Sequence, residues 1–525
     1  MPHNVILEAL ASTPAWKTLR KSVPGPGETH AVGGAVGSLG PVVAGLLHRD
    51  MPDRILLYVA ADPTEATAVE ADLTSLLGEG EAALFPQRET LPYESGERHI
   101  EISGLRVEAA EALLSGRSRI LVTTLRALQE RTPVPTGLAE LRLTLAKGDA
   151  PGFSRLQEVL EERGFEKVPL VEEVGQFAVR GGILDLFSFG SPDPIRLEFW
   201  GDEIVSIRRF DILDQRSTGE VEEIHVLPVD FRDESRGRAS GESASAVGAS
   251  PSSAGAPRSL LELVPSDAFL LWGGTGSDAG SDRARDAGNG DRGEPGEGSG
   301  AKVDEDPGKE LRRTWEHVNR IHDEMVSDGR DVPPAGELFL EPEVCRGLLE
   351  RHPQVRFRGE KRGDAVLDSE PPPEINRDME RLRVVLRESS GRGARTLLLC
   401  DNQGQAQRLE EILGGPGSLP RGVQVALGSL AGGFTLHSAE PPLRVLTDHE
   451  IFRRSRRLRR GRRFRGAVSL ERLAQLKPGE YVVHMDHGIG RFRGLERVDV
   501  AGEELEALAL EYADGEILRV PTHRL

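Results

Sequence analysis

The sequence predicts a multidomain protein that combines α/β and α+β folds. Its 525 residues are too many for one hydrophobic core, since domains usually hold about 100–200 residues. Strand-like and helical segments alternate over residues 30–135 and again over 355–450, which is typical of α/β domains. Short alternating strands with tight turns occupy residues 151–230 and 478–525, and they indicate small antiparallel sheets.

Residues 1–150 are predicted to form the first part of a P-loop-like α/β domain. Short apolar runs predict its buried strands, which are Ile55–Ala60, Ala83–Phe85 and Arg119–Thr124. Apolar residues at helical spacing predict its helices, which are Thr64–Leu77, just after Pro63, and Ile102–Leu114. Because strands and helices alternate, the sheet is expected to be parallel.

Residues 151–231 are predicted to form a small sheet module inserted into that domain. A helix is expected over Ser154–Arg163, with Gly164 as its C-cap residue. Glycine-containing turns then separate four short segments of alternating polarity. The expected strands are Gln176–Arg180, Gly182–Phe187, Ile195–Trp200 and Ile204–Phe210.

Residues 232–345 are expected to return to the first domain. The segment from about 273 to 307 is rich in Gly, Ser, Asp and Glu, and it cannot bury enough apolar surface to offset the entropy of ordering. It is therefore predicted to be a disordered insertion. The apolar segment Leu260–Trp272 is expected to add a strand to the first sheet, and Glu337–Leu340 also has a strand-like pattern.

Three further regions are predicted after residue 345. Residues 346–452 have the strand–helix alternation of a second, small α/β domain, and residues 477–525 predict a small, strongly bent β-barrel. Residues 453–476 between them are expected to be an arginine-rich linker. The run Arg453–Arg465 could contact DNA phosphates, but only Phe464 interleaves it, which favours a solvated linker.

The composition argues against several classes of protein. A net charge of −19 argues against a chain that coats nucleic acid along its whole length. The two cysteines, Cys345 and Cys400, form no CxxC pattern, so neither a disulfide framework nor a zinc site is expected. The chain has no signal-peptide pattern and no run of about 18 apolar residues, so we expect a cytoplasmic protein without membrane contact.

A glycine-rich stretch lies where a P-loop domain would bind phosphate. It comprises Gly33, Gly34, Gly37 and Ser38 and precedes an expected helix over Val42–His48. ATP hydrolysis also needs a lysine that reaches the outer phosphates and a hydroxyl that binds magnesium. No GK[ST] sequence occurs in the chain. We therefore expect a degenerate phosphate loop, with no catalytic residue and no cofactor in this chain.

Two polar clusters could suggest metal ligands. Asp448-His449-Glu450 follows a predicted strand, and His484 and His487 flank Asp486 beside a turn. Neither spacing supplies the third and fourth ligands of a closed site. No metal is expected, and the first cluster is expected to be a strand end with solvated charges.

A candidate interaction face lies in the sheet module. Alternation along Ile195–Trp200 places Arg196 and Trp200 on the same face, and Arg180 ends the expected strand Gln176–Arg180 of the same module. An exposed tryptophan beside arginines has the composition of an interface hot spot. An aromatic ring lying over a solvated face would have the same pattern, so the residues alone leave both interpretations open.

Two stretches resemble modules known from DNA repair and transcription. Residues 176–217, which begin QFAVRGGILDLF and end FDILDQRS, closely resemble the UvrB-interaction module shared by the repair helicase UvrB and the transcription-repair coupling factors. Residues 477–525 resemble the CarD-like RNA-polymerase-interacting domain, which UvrB lacks. The segment LFPQRETLPYE at residues 84–94 is similar to the first domain of the coupling-factor family.

The resemblance implies two partners and the residues that meet them. UvrA is expected to bind one face of the module, and the family's motif positions there are Arg180, Arg196 and Trp200. The β subunit of RNA polymerase is expected to pair with an edge strand of the barrel. The candidate residues there are Arg491, Phe492, Leu495 and Val498.

The resemblance also implies that this chain is an adaptor and not an enzyme. In the family, an ATP-driven DNA translocase that uses ATP and magnesium occupies later domains, and this sequence ends at Leu525 before them. DNA is therefore expected to be bound mainly by those domains, with the 453–465 run as the one candidate here. Two alternatives are a UvrB-like repair helicase, which needs the P-loop lysine, and a CarD-type transcription regulator, which leaves residues 176–217 unexplained.

Overall fold

The structure is a computed structural model, and most of the chain can be described from it. The described residues are 2–93, 100–132, 141–212, 215–231, 258–273, 307–415, 417–453, 479–484, 488–500, 503–512 and 517–521. The predicted insertion at about 273–307 and the predicted linker at 453–476 fall almost entirely outside these residues. Within the described part of the chain, no helix is long and apolar enough to cross a membrane.

The first domain is built on a seven-stranded parallel sheet with strand order β15-β1-β14-β13-β2-β4-β3. Its strands are β1 (Thr29–Gly33), β2 (Leu56–Ala60), β3 (Ala82–Leu84), β4 (Ile120–Thr124), β13 (Phe269–Trp272), β14 (Gln354–Arg358) and β15 (Ala365–Val366). Alternate residues of β2 belong to two separate apolar clusters, one on each face. Burial on both faces explains why these strands are continuously apolar.

Helices cover both faces of this sheet. One face is covered by α1 (Pro2–Ser12), α2 (Pro14–Lys21), α3 (Leu39–Asp50) and α4 (Pro63–Leu77). The opposite side carries α5 (Ile100–Leu114), α6 (Leu125–Gln129), α8 (Leu260–Leu263), α9 (Pro307–Ser327), α10 (Ala335–Leu338) and α11 (Pro342–Leu349). The helix α4 begins where the sequence predicts, because the Asp62 carboxylate accepts hydrogen bonds from two free amides and Pro63 occupies the first turn.

Two sequence expectations concern the segments that return to the first domain. The segment Leu260–Trp272 supplies the helix α8 as well as the expected strand β13, and a capping box between Ser259 and Glu262 begins that helix. The strand expected at Glu337–Leu340 is wrong. Most of it lies in or next to α10, and only Phe339 makes an isolated bridge, to Glu130. Leu338 and Phe339 instead pack in a small cluster with Val318, and Leu340 belongs to the larger cluster that also contains β2 residues.

The sheet module occupies residues 143–229 and begins before the expected boundary at residue 151. Its strands are β6 (Glu166–Lys167), β7 (Gln176–Arg180), β8 (Ile183–Leu186), β9 (Ile195–Trp200), β10 (Glu203–Phe210) and β11 (Ser217–Glu220), in order β11-β10-β9-β8-β7-β6. A two-stranded sheet of β5 (Leu143–Ala146) and β12 (Glu223–Val226) lies beside them. The helix α7 (Phe153–Glu162) packs through Leu156 and Leu160 on one sheet face.

The small α/β domain contains a mixed five-stranded sheet with strand order β16-β19-β20-β17-β18. Its strands are β16 (Ser369–Glu370), β17 (Arg395–Cys400), β18 (Val423–Leu427), β19 (Phe434–Leu436) and β20 (Leu443–Thr447). Its helices are α12 (Met379–Gly391), α13 (Gln403–Ile412) and α14 (Asp448–Phe452). Leu397 and Phe434 share one apolar cluster with α3 of the first domain, so the two sheets form a continuous core.

The C-terminal region forms a four-stranded antiparallel sheet in chain order. Its strands are β21 (Tyr481–His484), β22 (Gly488–Val500), β23 (Glu503–Glu511) and β24 (Ile517–Pro521). The expected α/β and α+β composition of the chain is confirmed. Among the described strands, however, this last sheet stays open, with β21 and β24 at its two edges, and the predicted barrel closure is not seen.

Candidate interaction surfaces

The glycine-rich loop connects β1 to α3, as a phosphate loop would, but its amides point into the protein. The Gly34 amide donates to the Glu360 carbonyl at 2.9 Å, and the Ser38 amide donates to the Gly432 carbonyl at 3.1 Å. The Ala35 amide donates to the Arg358 carbonyl at 2.9 Å. A phosphate loop must offer its amides to the ligand. Here the chain's own carbonyls already accept from them.

The loop glycines serve this close packing. A Cβ atom on Gly34 would lie 2.1 Å from the Leu367 carbonyl oxygen, and one on Gly37 would lie 2.2 Å from that of Gly433. Both residues also have positive φ angles, 73° and 54°, which glycine adopts at little cost. The backbone at Leu367 and Gly433 therefore packs directly against the two glycines of the loop.

A buried carboxylate fixes the loop to the small α/β domain. The Asp72 carboxylate of α4 accepts from the Ser38 hydroxyl at 2.6 Å and from the Ala431 amide at 2.7 Å. The Ser38 hydroxyl in turn accepts from the Gly432 amide at 3.0 Å. We name these residues, Ser38, Asp72, Ala431 and Gly432, the loop lock. The loop lock uses its polar atoms within the protein.

The cluster Asp448-His449-Glu450 differs from the expected strand end with solvated charges. Asp448 is buried, and the cluster begins the short helix α14. The Glu450 carboxylate accepts from the Thr447 hydroxyl at 2.6 Å and from the Gly433 amide at 3.0 Å. That expectation was wrong because Thr447 and Glu450 form a capping box, which the spacing of the two residues already suggests.

No group of three or more possible metal ligands occurs within the part of the chain that the structure describes. The residues Asp486 and His487 of the second candidate cluster lie outside that part.

Arg180 and Trp200 lie at neighbouring hairpin tips of the sheet module. Arg180 pairs with Ile183 across one turn, and Ile183 pairs with Glu198 near the end of β9. Trp200 ends β9 and leads into the next turn, and 81% of its surface is exposed. An indole ring exposed to this extent stabilises the fold little.

Arg196 lies on the same face but is held more tightly. Its Nε and Nη2 atoms donate to the Asp185 carboxylate at 2.7 and 2.9 Å, and its guanidinium lies 4.8 Å from the centre of the Phe210 ring. Its Nη1 donates to the Gln215 carbonyl at 3.2 Å. The hydrogen bonds to Asp185 raise the pKa of Arg196 above its ordinary value.

Sequence reasoning missed Asp185. It is a buried acid in the otherwise apolar strand β8, where it faces Arg196 in the strand register. A lone carboxylate within an apolar strand was the signal that could have found it, since a buried charge requires a partner.

The four candidates for polymerase binding all lie on β22, but in different environments. Phe492 is buried and packs with Leu508 and Leu510, so it supports the sheet and is not itself exposed for contact. Leu495 is exposed, as is Arg491. The backbone of Val498 continues the strand, and its side chain lies outside the described residues.

The strand β22 presents a partly unpaired edge. The strand β21 pairs only with residues 488–491, whereas β23 pairs with β22 from Arg491 to Val500. Among the described strands, residues 493–500 therefore have a neighbour on one side only. An unpaired strand edge offers amides and carbonyls to an incoming strand. Leu495 lies within this segment, which we name the free edge.

Comparison with protein families identifies two domains in the chain. Residues 143–231 match the family of the UvrB interaction domain, which corresponds to the sheet module. Residues 476–525 match the family of the CarD-like/TRCF RID domain, which contains the open C-terminal sheet.

The chain is also similar over most of its length to proteins named transcription-repair-coupling factor. The identity is 27% to that of Haemophilus influenzae, over 89% of this chain and 42% of the relative. It is 29% to that of Mycobacterium tuberculosis, over 98% of this chain and 44% of the relative. For Escherichia coli it is 26%, over 83% and 40%. The predicted resemblance is confirmed, and the chain spans less than half the length of these relatives.

Proposed function

We propose that this chain, which matches transcription-repair-coupling factors over most of its length, is a non-catalytic adaptor that joins RNA polymerase to UvrA in DNA repair. The observation that carries the proposal is the presence on one chain of a UvrB interaction domain and a CarD-like/TRCF RID domain. Linking two binding modules raises the concentration of one partner near the other. Such a tether acts in the cytoplasm and needs no reaction at the chain itself.

The UvrA side of the proposal rests on the hairpin tips of the sheet module. Arg180 and Trp200 combine a charge-assisted donor with a large exposed ring, the pair of residue types most enriched in interface hot spots. Asp185 fixes Arg180 through a 2.7 Å hydrogen bond, so less side-chain entropy is lost when a partner binds. We assign Arg180 and Trp200 to direct contact and Arg196 to the support of this face.

The polymerase side rests on the free edge of β22. We propose that the polymerase β subunit adds a strand along residues 493–500, since backbone pairing there would satisfy amides and carbonyls that lack a described neighbour. The exposed Leu495 would then contact the added strand or the surface beside it. Phe492 would support β22 through its packing with Leu508 and Leu510.

We propose that residues outside this chain carry out ATP-driven translocation. In the proposal, ATP, magnesium and most of the DNA are bound by other domains of a longer protein. This chain has no GK[ST] sequence, and the amides of its glycine loop already donate to its own carbonyls. The alternatives of a UvrB-like ATPase and a CarD-type regulator would each leave one matched domain without a role.

The test measures the affinity of the full chain for purified UvrA and, separately, for the polymerase β subunit. Arg180→Ala is expected to weaken UvrA binding by about 30-fold, the effect of losing a hot-spot contact of about 2 kcal/mol. Its matched control is Arg155→Ala, which removes another exposed, ion-paired arginine on α7, across the sheet. Leu495→Asp is expected to weaken only polymerase binding, with Ile517→Asp on the edge strand β24 as its control.

The outcomes separate the two halves of the proposal. If each variant weakens one partner and its control weakens neither, the adaptor function is supported. Equal losses for Arg180→Ala and Arg155→Ala would mean that UvrA senses only the charge of the module. If the unmodified chain binds neither protein, the adaptor function is overturned.

A further inference from the structure

Asp185 is a buried carboxylate that holds two surface arginines at once. Its side chain is 1% exposed, and its Oδ2 atom accepts from Arg180 Nη2 at 2.7 Å and from Arg196 Nη2 at 2.9 Å. Its Oδ1 atom accepts from Arg196 Nε at 2.7 Å. The carboxylate therefore bridges β7 and β9 from the strand between them.

The two arginines differ in how far they remain available. The Arg180 side chain is 47% exposed. Within the part of the chain that the structure describes, its guanidinium makes a single hydrogen bond, to Asp185. The Arg196 side chain is 15% exposed and also contacts Phe210 and the Gln215 carbonyl. Each guanidinium carries five N–H donors, so donors remain for a second acceptor.

We propose that Asp185 is the positioning residue of the UvrA-binding face. It fixes Arg180 so that the remaining donors of this guanidinium meet a carboxylate of the partner, and it anchors Arg196, which supports the face. The inference rests on the proposed function and deepens it. An arginine that is already immobilised loses less rotamer freedom on binding, and a planar guanidinium held by one carboxylate can present its other edge to a second.

Fold stability alone does not account for this arrangement. A buried ion pair contributes little net stability compared with apolar residues of similar volume, because the desolvation of both charges offsets their attraction. In the strand register Asp185 lies opposite the apolar Ala178 on β7 and opposite Arg196 on β9, and the apolar Ile183 lies two residues away on the same face of β8. The ion pairs are explained more directly if the arginines they orient contact a binding partner of the module.

The first experiment replaces Asp185 by Asn in the full chain and measures affinity for UvrA. The amide keeps the shape but loses the charge, and its NH₂ group opposes the guanidinium donors. Binding is expected to weaken on the order of tenfold, within the range of couplings seen inside one ion-pair network. The matched control is Glu158→Gln, which removes a carboxylate from an arginine pair on α7; its affinity is expected to stay unchanged.

Double-mutant cycles distinguish positioning from a general loss of structure. If Asp185 acts through Arg180, the double variant Asp185→Asn/Arg180→Ala loses less affinity than the sum of the two single losses. The losses from Asp185→Asn and Trp200→Ala are expected to be additive, since Trp200 makes no bond to Asp185. Additive losses in both cycles would overturn the proposal, because a weakened fold would affect every contact residue alike.

A measurement without UvrA tests the arrangement itself. Arginine labelling with phenylglyoxal, read by mass spectrometry, is expected to increase at Arg180 and Arg196 in Asp185→Asn and to stay constant at Arg155. Unchanged labelling at Arg180 and Arg196 would overturn the proposal. If the unmodified chain fails to bind UvrA although labelling increases, the proposed function fails and the arginines are positioned for another acidic partner. If UvrA binds both chains equally, the proposed function stands and Asp185 has no positioning role.

Discussion

Two buried carboxylates, Asp72 and Asp185, organise two polar regions of the molecule in opposite ways. Asp72 accepts from the buried Ser38 hydroxyl and from the Ala431 amide, and both donors are thereby used within the protein. Asp185 accepts from Arg180 and Arg196, whose side chains reach the surface of the sheet module. The first carboxylate closes the loop lock, and the second leaves donors for a partner.

The difference lies in the donors. A hydroxyl or a backbone amide has one hydrogen to give, so a single bond to Asp72 exhausts it, whereas a guanidinium has five. The glycine loop, which resembles a ligand site in sequence, therefore has its binding groups used internally. The arginine face resembles an ordinary ion-paired surface, yet it retains unused donors beside an exposed tryptophan. The arginine face is the better candidate for binding because it has unused hydrogen-bond donors, although the glycine loop has the more familiar binding motif.

The largest effect is expected when the loop lock is broken by Asp72→Ala. The substitution leaves the buried Ser38 hydroxyl and the partly buried Ala431 amide without this acceptor, which should lower the free energy of unfolding by about 2–4 kcal/mol. Urea unfolding followed by tryptophan fluorescence measures it, since Trp16 and Trp272 are buried in the first domain. The control Asp323→Ala removes a carboxylate with 79% exposure and should change stability by less than about 0.5 kcal/mol.

A stability change below 1 kcal/mol for Asp72→Ala would show that the loop lock is dispensable, and the contrast with Asp185 would then disappear.

A smaller effect, on binding alone, is expected for Trp200→Ala. Because the ring is 81% exposed, its removal should change the free energy of unfolding by less than about 0.5 kcal/mol. Its affinity for UvrA should fall by about 30-fold, as for a hot-spot aromatic residue. Calorimetric titration with UvrA and a thermal melt of the same sample give both numbers. Unchanged affinity would remove Trp200 from the interface and return this face to a solvated surface.

Much of the fold could be predicted from the sequence because its signals are local. The apolar runs at Ile55–Ala60 and Arg119–Thr124 gave strands within one residue of those observed, since strands buried on both faces are apolar throughout. The segment Glu337–Leu340 failed because a run of four residues fits either a strand or one helical turn. The helical turn is the one formed, and it packs Leu338 and Phe339 against Val318, which is distant in sequence.

The candidate site was predicted only in part, for a physical reason. Alternation along β9 correctly placed Arg196 and Trp200 on the face that also carries Arg180. The same pattern could not reveal that Arg196 is mostly covered by Asp185 and Phe210, because cross-strand contacts depend on the register of three strands. The burial of Phe492 depends likewise on its pairing with Leu510.

The last prediction is that ATP has no effect on stability, and it tests whether the loop lock closes the glycine loop to nucleotides. Saturating ATP with magnesium should leave the melting temperature of the chain unchanged, whereas a ligand at about 100 times its Kd would add about 2.7 kcal/mol of stability. Differential scanning fluorimetry measures it, with sulfate at equal ionic strength as the control for unspecific anion effects. A shift with ATP but not with sulfate would mean that the amides of Gly34 and Ser38 can exchange their internal carbonyls for phosphate. The loop lock would then be a gate over a nucleotide site, and Asp72 and Asp185 would both serve ligands.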